Sequence, residues 1–253
     1  MRNTLLQGKN LTKAFRQGGT VNNVLDSVDV TIYEKDFTVI MGSSGAGKST
    51  LLYALSGMDK ISGGKVLYKG KEISRLKEKE MARFRAQEFG FVFQQTYLVS
   101  SLTLLENVLV AGYVSGKEGE KEIRDYAENL LDQMKVAHAK DRLPSKVSGG
   151  EALRAAVARA MIGRPGILFA DEPTGALNKS NTAEVLGLLT ELNRLGQSIL
   201  MVTHDMRAAV RGNRILYLED GKILDELHLS DYSELEEKSR KNEVGRWLAK
   251  LQW

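Results

Sequence analysis

The 253-residue chain contains no cysteine. That absence excludes a disulfide framework, cysteine-ligated zinc or iron–sulfur clusters and a thiol nucleophile, and it suits a reducing compartment. Histidine is scarce as well: the three present, His138, His204 and His228, are too few and too scattered for a multi-histidine metal centre. Only three prolines occur (Pro144, Pro165 and Pro173), and there is no proline-rich linker, low-complexity tract or internal repeat. No stretch approaches the ~18–20 apolar residues that would span a bilayer. Met1–Asn10 lacks the charged-then-apolar layout of a signal peptide, so a soluble chain is expected, with any membrane role supplied by a partner. The 36 basic and 32 acidic residues leave a formal charge of only +4, and no nucleic-acid partner is expected from so small an excess. What is present is an ordinary globular mix, 42% hydrophobic and 27% charged, sized for one large domain or one domain with an insertion.

The order of elements follows from periodicity. Leu25, Val28, Val30 and Ile32 read as one strand, and Phe37–Met41 reads as a buried one followed at once by glycines and a helix over Ser49–Leu55. A short strand at Val66–Tyr68, a charged helix at Leu76–Glu88 and a buried strand at Phe89–Phe93 come next. Thr103–Ala137 is helical in pattern. A helix (Glu151–Ile162), a strand (Ile167–Ala170), a helix (Thr182–Arg194) and a strand (Ser198–Val202) then alternate, which implies a mostly parallel sheet covered by helices. Arg214–Leu218 and Lys222–Asp225 flank Asp220-Gly221, a hairpin signal. The tail, Asp231–Trp253, spaces Val244, Trp247, Leu248 and Leu251 as one face of an amphipathic helix. Packing of that face on its own domain or on a sister subunit is the plainer expectation, and a membrane-surface or permease contact the sharper one.

Two segments carry chemistry by their own logic. Gly42-Ser43-Ser44-Gly45-Ala46-Gly47-Lys48-Ser49, followed by Thr50, fits the phosphate-binding loop (Walker A) G-x-x-x-x-G-K-[ST] and lies between a buried strand and a helix. Glycines let backbone N–H groups converge on phosphate oxygens, and the helix adds its positive end. Lys48 supplies a mobile charge to the β- and γ-phosphates, and the Ser49 hydroxyl can ligate Mg²⁺. Ile167–Ala170 ends in Asp171 and Glu172, at the carboxyl edge of the sheet where open α/β folds bind ligands. Asp171 there would hold Mg²⁺ through water, and Glu172 would orient or deprotonate the attacking water.

With these motifs in order, residues 4–226 resemble an ATP-binding-cassette (ABC) ATPase subunit. Val147-Ser148-Gly149-Gly150-Glu151 is similar to the family signature Leu-Ser-Gly-Gly-Gln, Gln94 resembles the Q-loop glutamine that touches Mg²⁺, His204 resembles the switch histidine, and Phe15 resembles the aromatic that stacks on adenine. The resemblance implies an α/β fold: a phosphate-loop NTPase (RecA-like) core, an antiparallel β subdomain, and a helical subdomain inserted at about Leu98–Val147. The ATPase domain would cover residues 1–230 and the C-terminal amphipathic helix 231–253. It also implies ATP and Mg²⁺ as cofactors. A second copy would place Ser148, Gly149, Gly150 and Glu151 against the γ-phosphate, and an integral membrane permease would receive the work at the cytoplasmic face of a bacterial membrane. Its coupling helix would dock in a groove beside the helical insertion. Phe169–Leu177 and Leu102–Asn107 look most like the branch of macrolide-exporter, lipoprotein-release, cell-division and bacitracin-resistance ATPases, which implies export or extraction of antimicrobial peptides, lipids or other amphipathic compounds.

Two positions depart from the family pattern. Glu151 stands where the signature has glutamine, and Asn178 stands where the D-loop ends in aspartate. A carboxylate at 151 would repel a γ-phosphate unless it points away, and the loss of charge at 178 could weaken positioning across the dimer. A slow but working ATPase is expected. The rival readings are an importer ATPase subunit and a catalytically weak ATP-binding regulatory module.

Overall fold

The computed structural model describes residues 2–17 and 20–253, without the side chains of residues 16, 17, 20 and 21. The chain divides into two compact units, Met1–Lys77 with Asn193–Trp253, and Glu78–Leu192. The second unit is wider than the insertion expected at 98–147.

In the first unit, β1 (Thr4–Gln17) and β2 (Thr20–Tyr33) are long antiparallel partners. β1 also pairs antiparallel with β4 (Gly63–Tyr68), which continues into β5 (Lys71–Glu72), giving the order β2-β1-β4-β5. This is the antiparallel β subdomain. Its first strand is absent from the periodicity reading because a register shift between Gly8 and Leu11 breaks the two-residue alternation.

The second layer of this unit is built on β3 (Phe37–Met41), buried throughout and parallel to both β8 (Ser198–Val202) and β9 (Arg214–Glu219). An unbroken apolar run such as FTVIM suits a strand covered on both faces. β9 turns into β10 (Lys222–His228) through Asp220 and Gly221, both with positive φ (45° and 71°), as the Asp-Gly hairpin signal requires. Between β3 and β4, α1 (Lys48–Leu55) buries Leu51, Leu52, Ala54 and Leu55.

In the second unit, α2 (Glu78–Glu88) leads into β6 (Phe89–Phe93), which pairs in parallel with β7 (Ile167–Asp171). Aromatic rings bind these strands: Phe89 meets Phe169 edge-on at 5.1 Å, and Phe91 stacks on Phe169 at 5.4 Å. The helical insertion holds α3 (Leu104–Ser115) and α4 (Glu120–Gln133), packed with α5 (Gly149–Met161). α6 (Lys179–Arg194) follows β7, and the four-residue α7 (Met206–Ala209) follows β8.

The tail forms α8 (Glu237–Lys250), starting six residues later than the sequence pattern suggested because Glu234–Glu236 is a 3-10 turn. Val244, Trp247 and Leu248 are buried within the first unit. The Trp247 ring meets Tyr217 edge-on at 6.2 Å, and its Nε1–H donates to Asp225 Oδ2 at 2.8 Å. Arg240 is 3% exposed and donates to the carbonyls of Val210 (2.9 Å), Gly212 (2.6 Å) and Ser230 (2.7 Å). The apolar face of the helix is thus occupied by its own unit. Trp247→Ala should therefore destabilise the chain by about 3–5 kcal/mol, the usual cost of emptying a buried aromatic site. Chemical denaturation checks this, and a change within about 0.5 kcal/mol would mean that the helix is not part of the core.

Candidate functional site

Within the first unit, β3 delivers Gly42 at its carboxyl end. Gly42 must lack a side chain: a Cβ there would lie 2.0 Å from the Leu218 carbonyl oxygen of β9. Gly47 has φ 100°, and its Cβ would lie 2.8 Å from the Val24 carbonyl oxygen of β2. The loop is thereby wedged against two strands, which fixes the course of Ser43, Ser44, Gly45 and Ala46. α1 then starts at Gly47 with no side-chain cap and no acidic residue in its first turn. Lys48 Nζ donates to the carbonyls of Gly42 (3.0 Å) and Ser43 (2.8 Å), so its ammonium lies back over the loop. A helix start with no side-chain cap and no acid in its first turn, together with a lysine, forms a donor set that fits a phosphate. Ser49 and Thr50 begin the helix beside it.

β8 brings His204 to the same sheet edge. Val202 is in register with Ile40, and the Thr203 N–H donates to the Ile40 carbonyl at 3.1 Å. His204 is exposed, and Asp205 after it caps α7 by accepting the Arg207 N–H at 2.8 Å. Phe15 sits on β1 with its ring 47% exposed and Lys13 Nζ 4.9 Å from the ring centroid. An exposed aromatic is available for stacking in a way that a core phenylalanine is not.

The second unit holds the remaining sequence-read residues, in two groups. Asp171 ends β7 in register with Phe93 on β6, so Gln94 and Glu172 follow on adjacent strands at one edge. Glu172 has φ 46°, a conformation a non-glycine residue adopts only under constraint from its surroundings. The turn behind it closes with Gly175 N–H to the Glu172 carbonyl at 3.0 Å. The Gln94 side chain lies against Gly175, where a Cβ would come 3.0 Å from Gln94 Nε2. Arg159 of α5 holds the chain after Gln94 by donating to the carbonyls of Thr96 (2.7 Å) and Tyr97 (2.6 Å), a contact that nothing in the sequence announced.

The other group surrounds the start of α5. Ser148 caps the helix: its Oγ accepts the Glu151 N–H at 3.2 Å, and Glu151 Oε2 accepts both the Ser148 N–H and its hydroxyl at 2.8 Å. This reciprocal box explains Glu151. The carboxylate is folded back on its own helix start. Hydrogen bonds from the Ser148 backbone and hydroxyl, then from His138, hold its pKa at about 2. Gly149 forms the first turn, and Gly150 is pressed by Asn181 of α6, whose Cγ would lie 2.7 Å from an added Cβ. Asn178 Oδ1 accepts the Asn181 N–H at 2.9 Å, so the residue that replaces the D-loop aspartate keeps the task of capping α6.

The family model described as ABC transporter matches residues 25–175. The chain belongs to the ABC transporter family. It is 40% identical over 230 residues to the bacitracin export ATP-binding protein BceA of Halalkalibacterium halodurans, covering 90% of both chains. It is 38% identical over 224 residues to the macrolide export ATP-binding/permease protein MacB of Pasteurella multocida, covering 88% of this chain and spanning only 34% of that protein. Among solved structures, the dimeric ATP-binding cassette MJ0796 in a post-hydrolysis state bound to ADP and Pi superposes with a TM-score of 0.83 at 35% identity, over 90% of this chain and all of that one. The fold is accordingly the phosphate-loop NTPase core of ABC ATPases, and this ABC protein binds and hydrolyses ATP. No helix among the described residues is long and apolar enough to cross a membrane.

The Glu151 geometry sets a sign for acid sensitivity. Its folded pKa lies below the ordinary 4.5, so its stabilisation is complete above that value and is lost as pH falls from 4.5 toward about 2. The stability difference between wild type and Glu151→Gln should shrink across that interval in pH-dependent denaturation. A difference that widens on acidification would contradict the capping geometry.

Proposed function

We propose that this chain is the ATP-hydrolysing subunit of a bacterial ABC transporter that drives a separate membrane permease. Two copies would close head-to-tail around ATP and Mg²⁺. The observation that carries the reading is the pair of glycine-bearing helix starts, α1 and α5, with Ser43, Ser44 and Gly45 exposed ahead of the first and Ser148 and Gly149 exposed at the second. One binds the phosphates of a nucleotide, and the other, from a second copy, covers the γ-phosphate.

The residues divide the work. Phe15 would stack on adenine, the loop Gly42–Thr50 would cradle the phosphates, and Lys48 would balance charge at the β- and γ-groups. Ser49, Gln94 and Asp171 offer the oxygen donors that Mg²⁺ accepts alongside phosphate and water, and the ion would neutralise charge on the phosphates. Glu172 orients a water and takes its proton as the oxygen attacks the γ-phosphorus, while the bond to the β-phosphate oxygen breaks and ADP departs. His204 supports the γ-phosphate. Loss of that group removes much of the charge that held the two copies together, so the pair reopens.

The likeness to proteins named for bacitracin export and macrolide export supports an exporting or extracting role toward amphipathic compounds such as antimicrobial peptides or lipids. Tyr97, Val99, Val110, Tyr113 and Val114 are exposed on the helical insertion and the segment leading to it, a placement suited to a permease's coupling helix at the inner face of the membrane. The capped positions of Glu151 and Asn178 support an active ATPase over a silent regulatory module.

Glu172→Gln should lower ATP turnover by roughly 100-fold or more. The same variant should elute at doubled mass in size-exclusion chromatography with ATP and Mg²⁺, and as a monomer without nucleotide. Retained turnover would remove Glu172 from its role, and monomeric elution in the presence of the permease would overturn the shared site.

A further inference from the structure

The second unit contains two capping boxes of the same design. At α3, Thr103 Oγ1 accepts the Glu106 N–H at 3.2 Å, and Glu106 Oε2 accepts the Thr103 N–H at 2.7 Å and its hydroxyl at 2.9 Å. At α5, Ser148 and Glu151 repeat this arrangement, with one addition: His138 Nε2 lies 2.8 Å from the second carboxylate oxygen, Oε1. Glu106 shows that the box alone is sufficient to start a helix here. The histidine at α5 therefore calls for another explanation.

An ionised carboxylate only accepts hydrogen bonds, so the Nε2 facing it must carry the hydrogen. Both oxygens of Glu151 are then engaged, Oε2 by its own helix start and Oε1 by a residue from outside the helix. His138 sits on the 3-10 turn Ala137–Ala139. That turn is fixed independently of α5, by Ala139 N–H to the Val136 carbonyl at 3.0 Å, by Leu105 N–H to the Lys140 carbonyl at 2.9 Å and by complete burial of Ala139. A carboxylate held at one oxygen can rotate about its last bonds; one held at both from two elements cannot.

We propose that His138 is a positioning residue for ATP hydrolysis, clamping Glu151 through Oε1 so that its charge stays folded onto Ser148 and does not swing across the glycines that follow. The N–H groups of Gly149 and Gly150 then meet the γ-phosphate bound to a second copy, with the carboxylate kept on the Ser148 side. This inference rests on the reading of α5 as the γ-phosphate cap. It also accounts for a carboxylate being workable where the family pattern has glutamine: the histidine supplies the hydrogen bond that keeps it in place.

The test is a double-mutant cycle in the full chain, reading ATP turnover, ATP-driven dimerisation in the Glu172→Gln background, and affinity of the monomer for nucleotide. His138→Ala should lower kcat and raise the ATP concentration needed for dimerisation by about two- to fivefold, the scale of a solvent-exposed charged pair, with monomer affinity unchanged. His138→Gln, which can still donate to Oε1, should restore most of the loss. In a Glu151→Gln background, His138→Ala should cause no further loss, because no charge is left to hold back. Wild-type behaviour of His138→Ala, or an equal loss in both backgrounds, would overturn the proposal. Ser148→Arg separates the premise from the inference. If it turns over ATP and dimerises like wild type, the γ-phosphate cap itself is wrong. If it fails while His138→Ala behaves as wild type, only the clamp is wrong.

Discussion

Peptide N–H groups can converge on an anion only where no side chain intervenes, and the chemistry of this protein depends on that constraint. The phosphate loop satisfies it by being wedged. Gly42 sits under the Leu218 carbonyl and Gly47 under the Val24 carbonyl, so the loop's path is set by β9 and β2 before any ligand arrives. Binding then spends little on ordering the backbone, which is the cost that weakens recognition by flexible loops. Gly150 obeys the same constraint through a different neighbour, the Asn181 side chain.

The two helix starts handle their dipoles in opposite ways. α1 begins without a side-chain cap and without an acidic residue in its first turn, and its positive end and the Lys48 charge are suited to a ligand. α5 begins with a complete capping box and a carboxylate. The box satisfies the Ser148 and Glu151 N–H groups, and the N–H groups of Gly149 and Gly150 are the ones that an anion on a second copy would meet. α1 is stabilised instead by burial of Leu51, Leu52 and Leu55, so it needs no side-chain cap.

Legibility in the sequence tracked locality. The phosphate loop is contiguous and was readable residue by residue, as were β3, β6, β7 and β8, whose unbroken apolar runs match burial on both faces. Gln94, His204, Phe15 and the signature residues were assigned through family resemblance; geometry alone would have left each as an ordinary loop or strand residue. β1 is not readable, because a further register shift, between Thr4 and Leu6, goes with burial of both Leu5 and Leu6 and erases the period of two. The His138–Glu151 pair, the Arg159 bonds to Thr96 and Tyr97, and the Asn181 contact with Gly150 join separate elements, and no spacing rule reaches across such distances. Asn107 belongs in this group. In the sequence it stands only within the Leu102–Asn107 string, yet its buried amide accepts the Val99 N–H at 2.7 Å and donates to the carbonyls of Val99, Leu102 and Thr103, organising the loop before α3.

Both departures from the family pattern preserve shape while changing charge, and the structure shows why each is tolerated. Asparagine caps a helix as well as aspartate does, since one side-chain oxygen in the same place is all that the Asn181 N–H requires. The charge lost at 178 is therefore separable from the fold of α6. At 151 the change runs the other way, adding a charge at a position whose N–H partners glutamine could also have served. The added charge strengthens the cap through the helix dipole and the Ser148 donors, but strength at that point is useful only if the carboxylate cannot turn outward. A second restraint from outside the helix resolves the conflict, and the imidazole of His138 occupies that place.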